Sequence, residues 1–274
     1  MALQGRAFAI SIPDTVLEDK DSLRDKTAKL GLIARACSIY GVDLIEVFRD
    51  RTGRGEEQLV RKVLGYLETP QYLRKRLYPL DDELRYAGML PPLRIPSHKG
   101  KAPPGTVPLG EVREGVVNKD GTVDIGLDVE PRLEGRGVPG QRVTVEVTSE
   151  RPPVARIIPK ARLKSYWGYQ VESKSLEEVL SDAGHMLRVA TSKRGTPLVE
   201  VEGRLKAALK SAGGVRLIFG PPSKGLYEIV GPDLPQRVDF VVNLFPVQHV
   251  ETVRTEEAIS AGLGLLALFT VGKA

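Results

Sequence analysis

The chain has 274 residues, of which 41% are hydrophobic and 27% charged, and its formal net charge is +5. This length supports a buried core in one large domain or two smaller ones. The composition excludes disordered and fibrous classes. The positive charge is compatible with RNA as a partner but does not establish one.

The same data argue against membrane, metal and disulfide chemistry. No apolar run reaches the roughly 18 residues that a membrane span needs, and the N-terminal apolar stretch ends at Pro13 and Asp14. We therefore expect a cytoplasmic protein that is neither anchored nor secreted. The single cysteine, Cys37, cannot form an internal disulfide, and the three histidines are too widely spaced to suggest a metal site.

The first third of the chain has the order strand, helix, strand. AFAISIP predicts a strand, and VDLIEVF predicts another after Gly41, which can end the intervening helix. The predicted inner face of that helix consists of Leu32, Ile33, Ala36, Cys37 and Tyr40. A second amphipathic pattern, from Leu59 to Leu67, would cover the parallel sheet that this order indicates.

The composition changes at Leu90. Beyond it, prolines, glycines and basic residues interrupt the hydrophobic periodicity of both helices and strands. Beyond it the hydrophobic period becomes two, in Val123, Ile125 and Leu127 and again in Val143, Val145 and Val147. We predict a small antiparallel β unit over residues 95–164, of a length that suits a five-stranded barrel.

An α/β pattern resumes in the last third of the chain. The strand MLRVATS leads into a loop over 192–197, VRLIF leads into GPPSKG, and RVDFVVNLF leads into a final helix. Thr255 is a plausible N-cap of that helix, whose predicted inner face is Ile259, Leu263 and Leu266. Residues 1–94 and 165–274 are therefore predicted to form one discontinuous α/β domain.

Two nucleotide-binding motifs are present only in part. GRGVPG matches a dinucleotide fingerprint but leads into a strand instead of a helix, which argues against a Rossmann dehydrogenase. GPPSKG has Ser, Lys and Gly in the wrong order for a phosphate loop, which argues against an NTPase. More informative are three strand ends, at ATSKRG, FGPPSKG and NLFPVQ, because ligands of α/β sheets bind at such ends.

FGPPSKG followed by NLFPVQHVETVRTEEAISAGLGLLAL resembles the cofactor-binding end of SPOUT-class (α/β-knot) RNA methyltransferases. AFAISIP, KLGLIARACSIYGVDLIEVF and ELRYAGMLPPLRIPSH resemble an archaeal and eukaryotic subgroup regarded as uridine N3 methyltransferases. The resemblance implies a trefoil-knotted parallel sheet, an inserted OB-like barrel at 95–164, a homodimer, an RNA substrate and S-adenosylmethionine as cofactor.

The resemblance also implies which residues bind the cofactor. Leu244 and Phe245 would contact the adenine, although core packing explains Leu244 equally well. The expected cofactor-binding residues are Thr191, Arg194, Gly220, Pro221, Asn243, Leu244, Phe245, Gln248, Thr252, Val253, Arg254 and Thr255. The two arginines can each donate two hydrogen bonds to a carboxylate or phosphate.

A basic segment ahead of three aromatic residues is the expected RNA contact. Its cations are Arg151, Arg156, Lys160, Arg162 and Lys164, and Tyr166, Trp167 and Tyr169 follow. A solvated surface with Trp167 anchoring the barrel to the sheet is an equally good interpretation. A second basic group consists of Arg94, Lys99 and Lys101.

Uridine N3 methylation requires removal of the ring proton. Glu256 and Glu257 could assist, but two acids at a helix start more often stabilise the helix dipole, so we name no catalytic base. Two alternatives stay open at this point. One is ribose 2′-O methylation by the same fold, and the other is a non-catalytic RNA-binding or ribosome-assembly factor.

Overall fold

The computed structural model describes residues 7–50, 53–181 and 186–270, and the chain forms two compact units. The first unit takes the chain up to Leu67, residues 83–91 and the chain from Tyr169 onward. The second unit takes residues 68–82 and 92–168. The predicted insertion at 95–164 lies inside the second unit, which also takes in residues 68–82.

The first unit is built on a six-stranded sheet in which every neighbouring pair is parallel. With strands numbered along the chain, its members are β1 (Ala7–Pro13), β2 (Leu44–Arg49), β8 (Gln170–Ser175), β9 (Met186–Pro197), β10 (Gly214–Ile218) and β11 (Phe240–Asn243). The spatial order is β11-β9-β10-β1-β2-β8. The parallel sheet predicted from the strand and helix order is confirmed.

The described residues in the chain segments of this unit form seven α-helices. They are α1 (Leu23–Tyr40), α2 (Glu57–Glu68), α4 (Leu176–Ser181), α5 (Leu198–Ser211), α6 (Leu226–Val230), α7 (Leu234–Arg237) and α8 (Thr255–Thr270). Helix α1 begins after Ser22, whose hydroxyl accepts the N–H of Asp25, and ends at Gly41 in the left-handed conformation. Within the described ranges, no helix has both the length and the apolarity that crossing a membrane requires.

The predicted inner faces of the helices are largely correct. Ile33 and Cys37 on α1 are fully buried, as are Ile259 and Leu263 on α8. Burial raises the pKa of the Cys37 thiol, which fits a packing role. Leu32 was wrongly placed on the inner face of α1. It is 59% exposed because the helix packs through its neighbours on the other side.

A charged network is buried inside the parallel sheet. Arg216 of β10 donates from Nε and Nη2 to the two carboxylate oxygens of Glu46 of β2, at 2.6 and 2.7 Å. The hydroxyl of Ser11, on the strand between them, donates to the same carboxylate at 2.6 Å. All three residues are at most 2% exposed. Two buried charges are tolerated here because each is paired and hydrogen-bonded.

The second unit contains a five-stranded mixed sheet. Its members are β3 (Val112–Val117), β4 (Val123–Asp124), β5 (Arg132–Glu134), β6 (Arg142–Glu150) and β7 (Pro153–Ile157), in the order β4-β3-β6-β7-β5. The edge strands meet, because Thr122 bridges Arg132 and the N–H of Val123 donates to the carbonyl of Pro131 at 2.9 Å. The sheet therefore curls on itself around the predicted valine and isoleucine positions.

The parallel pairing of β5 with β7 makes this sheet mixed, where a purely antiparallel unit was predicted. Helix α3 (Gln71–Leu77) precedes the sheet in the chain, as do 3₁₀ turns at Asp82–Leu84 and Ala87–Met89, and a third 3₁₀ turn covers Lys160–Arg162. GRGVPG lies between β5 and β6 and turns the chain from one strand to the other. Its Gly135 and Gly140 both have positive φ.

A second buried charge cluster centres on Glu114 of β3. Its carboxylate accepts hydrogen bonds from the Trp167 indole at 2.6 Å, from Arg142 Nε at 2.6 Å and from the Thr144 hydroxyl at 2.5 Å. Burial opposes ionisation, but Arg142 and Lys160 outweigh it and hold the pKa of Glu114 below its usual value. Arg142 also pairs with Glu68 at 2.7 Å. Trp167 therefore anchors a network within the second unit.

Breaking the network in the parallel sheet is expected to destabilise the first unit. Glu46→Gln leaves the guanidinium of Arg216 without its buried counter-charge, so the free energy of unfolding should fall by about 3–5 kcal/mol. Urea denaturation followed by circular dichroism measures the change. Glu202→Gln is the matched control, because the Glu202–Lys206 pair is exposed and such pairs contribute about 0–1 kcal/mol.

The double variant Glu46→Leu, Arg216→Met shows whether the loss of stability in Glu46→Gln comes from the unpaired charge of Arg216 or from the missing ion pair itself. Replacing both charges by apolar side chains of similar volume is often neutral, so the double variant should be more stable than Glu46→Gln. A double variant less stable than the single one would contradict this explanation.

Candidate functional site

A cavity of about 340 Å³ lies where the chain leaves β9, β10 and β11. Because these strands are parallel neighbours, their carboxyl ends meet at one edge of the sheet. The three loops singled out in the sequence therefore come together around one space. Ligand cavities in proteins typically measure about 300–1,000 Å³, so this volume suits a small cofactor.

The first wall of the cavity is a bulge inside β9. Val241 of β11 pairs with Ala190 and the next residue, Val242, pairs with Thr196, so residues 191–195 leave the ladder. A loop was predicted at 192–197. The structure instead has a bulge at this place, inside a strand that continues to Pro197. A Cβ on Gly195 would lie 2.6 Å from the carbonyl carbon of Val242, so only glycine fits there.

The second wall is the loop GPPSKG after β10. A Cβ on Gly220 would lie 2.9 Å from the backbone nitrogen of Leu226 and 3.1 Å from the carbonyl carbon of Gly225. Gly220 therefore lets the loop fold back tightly onto the start of α6. The N–H of Ser223 donates to Glu18 at 2.9 Å, which ties this loop to the segment after β1.

The third wall runs from the end of β11 to the start of α8. The Asn243 side chain donates to the carbonyl of Lys193 at 3.0 Å and accepts the N–H of Phe245 at 2.9 Å, so it joins the first and third walls. Gln248 donates to the carbonyls of Val250 and Glu251, at 2.6 and 2.8 Å. These two amides fix the shape of the loops.

All but one of the residues expected to bind the cofactor line this cavity. Those that do so are Thr191, Arg194, Gly220, Pro221, Asn243, Leu244, Phe245, Gln248, Thr252, Val253 and Thr255. Arg254 is exposed and is absent from the lining, because its place in the chain is the cap of α8. Sequence reasoning missed Glu228, Glu251 and Ala258 as lining residues. Glu228 lies on α6, outside the loop motifs, whereas Glu251 and Ala258 lie within the C-terminal motif, on either side of the residues predicted from it.

Arg194 lies at the rim of the cavity with its guanidinium over an aromatic ring. The carbon of the guanidinium is 4.2 Å from the centre of the Tyr227 ring, and Nη1 is 3.2 Å from Glu228 Oε1. The Arg194 side chain remains 62% exposed. A planar cation held on one face by an aromatic ring keeps its edge donors available to an anionic or carbonyl oxygen.

The two acids at the start of α8 serve the fold. Glu257 accepts the backbone N–H of Arg254 at 2.9 Å, which makes Arg254 the N-cap, one residue before the predicted Thr255. Glu256 is buried 3.2 Å from Lys29 Nζ, which also contacts Asp19 at 2.6 Å. Burial opposes ionisation of Asp19, but Lys29 and Lys20 hold its pKa below the usual value. Neither glutamate lines the cavity.

The expected RNA-binding segment lies in the second unit and is only partly exposed. Arg151, Arg162 and Lys164 are exposed, Arg156 is exposed and pairs with Glu146 at 3.1 Å, and Lys160 is half-buried. Trp167 and Tyr169 are buried, at 7% and 2% exposure, so base stacking on these two rings is ruled out. The Trp167 indole instead donates to Glu114 within the second unit, and RNA contact by the exposed cations of the segment stays a prediction.

In the part of the chain that the structure describes, no group of three or more His, Cys, Asp or Glu side chains is arranged to hold a metal ion. The polar lining of the cavity is instead made of hydroxyl, amide, guanidinium and carboxylate groups.

Comparison with known proteins identifies the family. A family model described as "Putative RNA methyltransferase" matches residues 7–266. The human 28S rRNA (uridine-N(3))-methyltransferase is 33% identical, over 96% of this chain and 79% of its own length. The mouse protein of the same name is 32% identical, over 96% of this chain and 77% of its own length. An uncharacterised protein of Haloarcula marismortui is 35% identical, over 95% of this chain and 98% of its own length.

The match covers both units and all three walls of the cavity. The similarity to the family is therefore not confined to the β unit or to a single loop. The chain belongs to this family of RNA methyltransferases.

Proposed function

We propose that this RNA methyltransferase transfers a methyl group from S-adenosylmethionine to N3 of a uridine in ribosomal RNA. The observation that carries the proposal is the cavity at the ends of β9, β10 and β11, built from the loops by which the sequence resembles SPOUT enzymes. The activity by which the human and mouse relatives are named supports uridine N3 as the target atom.

The lining of the cavity fits the chemistry of S-adenosylmethionine. Leu244, Phe245 and Val253 provide apolar surface for an adenine, while Thr191 and Gln248 provide hydroxyl and amide groups for polar parts of the molecule. The tight turn at Gly220 brings backbone close to the space, which lets main-chain groups contact a ligand. We assign these residues and the other predicted lining residues to cofactor binding.

The cofactor, when bound, supplies an electrophilic methyl group whose leaving thioether is neutral. The protein has to align the uracil ring with that methyl group and to accept the N3 proton. Glu228 and Glu251 are the carboxylates in the cavity lining, so a proton released there can pass to either of them or to water. Arg194 beside Glu228 can stabilise the negative charge that spreads over O2 and O4 of the uracil.

We further propose that the first unit is a SPOUT-class domain with a trefoil knot and that the curled sheet is an OB-like barrel. The strand order supports the first point, because β9 lies between β10 and β11 and the chain must pass β9 on its way from one to the other. The five strands and the meeting of the edge strands at Thr122 and Arg132 support the second.

The basic segment of the second unit is our proposed RNA-binding surface. Arg151, Arg162 and Lys164 present exposed cations that can neutralise phosphates. Arg156 and Lys160 complete the segment, although the first is paired with Glu146 and the second is half-buried. Their contribution to affinity should therefore be smaller than that of the three exposed residues.

A homodimer is proposed on the outer surface of α1 and α8. Leu32, Ile39 and Leu268 are 59%, 62% and 70% exposed, a concentration of apolar side chains on neighbouring helices that a monomer would leave in water. A second copy of this chain would cover the same patch on both subunits, as a two-fold axis requires.

Binding of S-adenosylmethionine is the first prediction of this proposal. Gly220→Val should weaken binding at least about tenfold, because its side chain would force Leu226 and Gly225 away and deform the cavity. Isothermal titration calorimetry measures the change. Gly203→Val is the control, since a Cβ at that exposed helical position meets no other atom within 4 Å. Absence of binding by the unaltered protein would overturn the cofactor assignment.

The target atom is the second prediction. Ribosomal RNA from cells that lack the protein should gain label as 3-methyluridine when it is incubated with the protein and methyl-labelled S-adenosylmethionine. Mass spectrometry of the digested nucleosides detects the product. Label found in a 2′-O-methyl nucleoside, with none in 3-methyluridine, would instead support ribose methylation.

The oligomeric state is the third prediction. The unaltered protein should have twice the mass of one chain in sedimentation equilibrium, and Leu32→Glu combined with Leu268→Glu should yield monomers by placing two like charges in an apolar interface. Val199→Glu is the control, because Val199 is equally exposed but lies on α5. Dissociation by the control variant alone would place the interface elsewhere.

A further inference from the structure

The second unit contains a basic cavity that none of the proposed activities uses. Its volume is about 370 Å³, and its lining consists of Gln71, Pro92, Arg94, Ile95, His98 and Lys99. None of these six residues is acidic. Arg94 and Lys99 belong to the second basic group noted in the sequence. Lys101, the third member of that group, does not line the cavity, whereas His98 and Gln71 do.

The two cations of this cavity are free to bind an anion. Arg94 and Lys99 are exposed, and neither has a salt bridge to a described residue. By contrast, Arg156 in the proposed RNA-binding segment pairs with Glu146, and Arg76 of α3 pairs with Asp124 at 3.2 Å. Two unpaired cations on one concave surface create a positive potential that attracts phosphate.

The loop that carries these cations is held rigidly. Leu93 and Ile95 are buried on either side of Arg94, at 3% and 6% exposure, and the N–H of His98 closes a turn onto the carbonyl of Ile95 at 2.9 Å. The buried Arg113 donates to the carbonyl of Gly100 at 2.7 Å and fixes the far end of the loop. The cations therefore project from a backbone that is already ordered, which lowers the entropic cost of binding.

Arg94 has an unusual backbone conformation. Its φ is +54°, the only value in the left-handed region for a non-glycine residue among those described. Residues other than glycine, asparagine and aspartate seldom adopt this conformation, and they do so where the surrounding structure enforces it. The buried neighbours on both sides enforce it here.

The histidine adds a feature that can distinguish RNA from DNA. His98 Nε2 lies 2.8 Å from the carbonyl of Glu68. Since a carbonyl only accepts, Nε2 carries the hydrogen. Burial, together with Arg74 and Arg142, holds the pKa of His98 below its ordinary value, which favours the neutral ring, and in that ring Nδ1 is the acceptor. A ribose 2′-hydroxyl can donate to such a nitrogen, and a deoxyribose cannot.

From this arrangement we infer that the cavity binds the sugar-phosphate backbone of RNA, with Arg94 and Lys99 on phosphate and His98 on a ribose hydroxyl. The inference rests on the proposed RNA substrate and extends it, because it adds a contact site outside the segment of Arg151 to Lys164. It assigns backbone binding to the cavity and no recognition of base sequence.

The test compares two variants that remove the same charge from the second unit. Binding of the full chain to a fluorescein-labelled single-stranded RNA of about 20 nucleotides is followed by fluorescence polarisation at several salt concentrations. Arg94→Gln with Lys99→Gln should lower affinity at least about tenfold and reduce the slope of log affinity against log salt by about 1.4, which is two phosphate contacts.

The matched control is Lys119→Gln with Arg136→Gln, two exposed cations of the same unit that line none of the described cavities. It should change affinity less than about twofold. Equal losses in the two double variants would overturn the inference and leave the proposed methyltransferase function standing. No RNA binding by the unaltered chain would overturn both. Thermal unfolding curves that match the unaltered protein exclude misfolding as the cause of a loss.

Two further measurements identify the ligand. The His98 ring resonance, assigned by its loss in His98→Gln, should shift on addition of the RNA and shift less with DNA of the same sequence. Inorganic phosphate is the second probe and is compared with chloride at equal ionic strength. Saturable displacement of the RNA by phosphate supports a phosphate contact in the site. Saturable binding of phosphate with no loss of RNA affinity in the Arg94 and Lys99 variant would mean a free-phosphate site and contradict the inference.

Discussion

The site depends on the parallel pairing of β9 with both β10 and β11. Parallel strands end at the same edge of a sheet, so three loops that are far apart in the chain are brought around one cavity. The register of the β11–β9 pairing shifts between Val241 and Val242. This shift leaves residues 191–195 of β9 unpaired with β11, and they form the first wall of the cavity. Gly195 and Gly220 are required where backbone approaches backbone in this arrangement.

Buried charge contributes to the order of both units. In the first, Arg216 joins β10 to Glu46 of β2 across the intervening strand, and Lys29 joins the loop after β1 to the start of α8. In the second, Glu114 is held by Arg142 and the Trp167 indole. Removing one partner of such a pair would leave the other charge buried and uncompensated, which is strongly destabilising.

In the proposed function, the two units have different tasks. The first supplies a cavity with an apolar wall, polar loop groups and a rim formed by Arg194 and Glu228, which suits binding and alignment of a small cofactor and one base. The second supplies exposed cations on a rigid scaffold, which suits binding of a polyanionic backbone.

The sequence alone predicted five of the six strands of the parallel sheet, most of the helical core positions and the loops that would carry the site, because hydrophobic period and glycine or proline content are local properties. It missed β8, whose residues are mostly polar and exposed. Tertiary structure decided the rest. It alone exposed Leu32, placed Arg254 in a helix cap outside the cavity lining, buried Trp167 and brought Glu228 of α6 into the lining. These outcomes depend on which distant elements meet, and no short stretch of sequence specifies that.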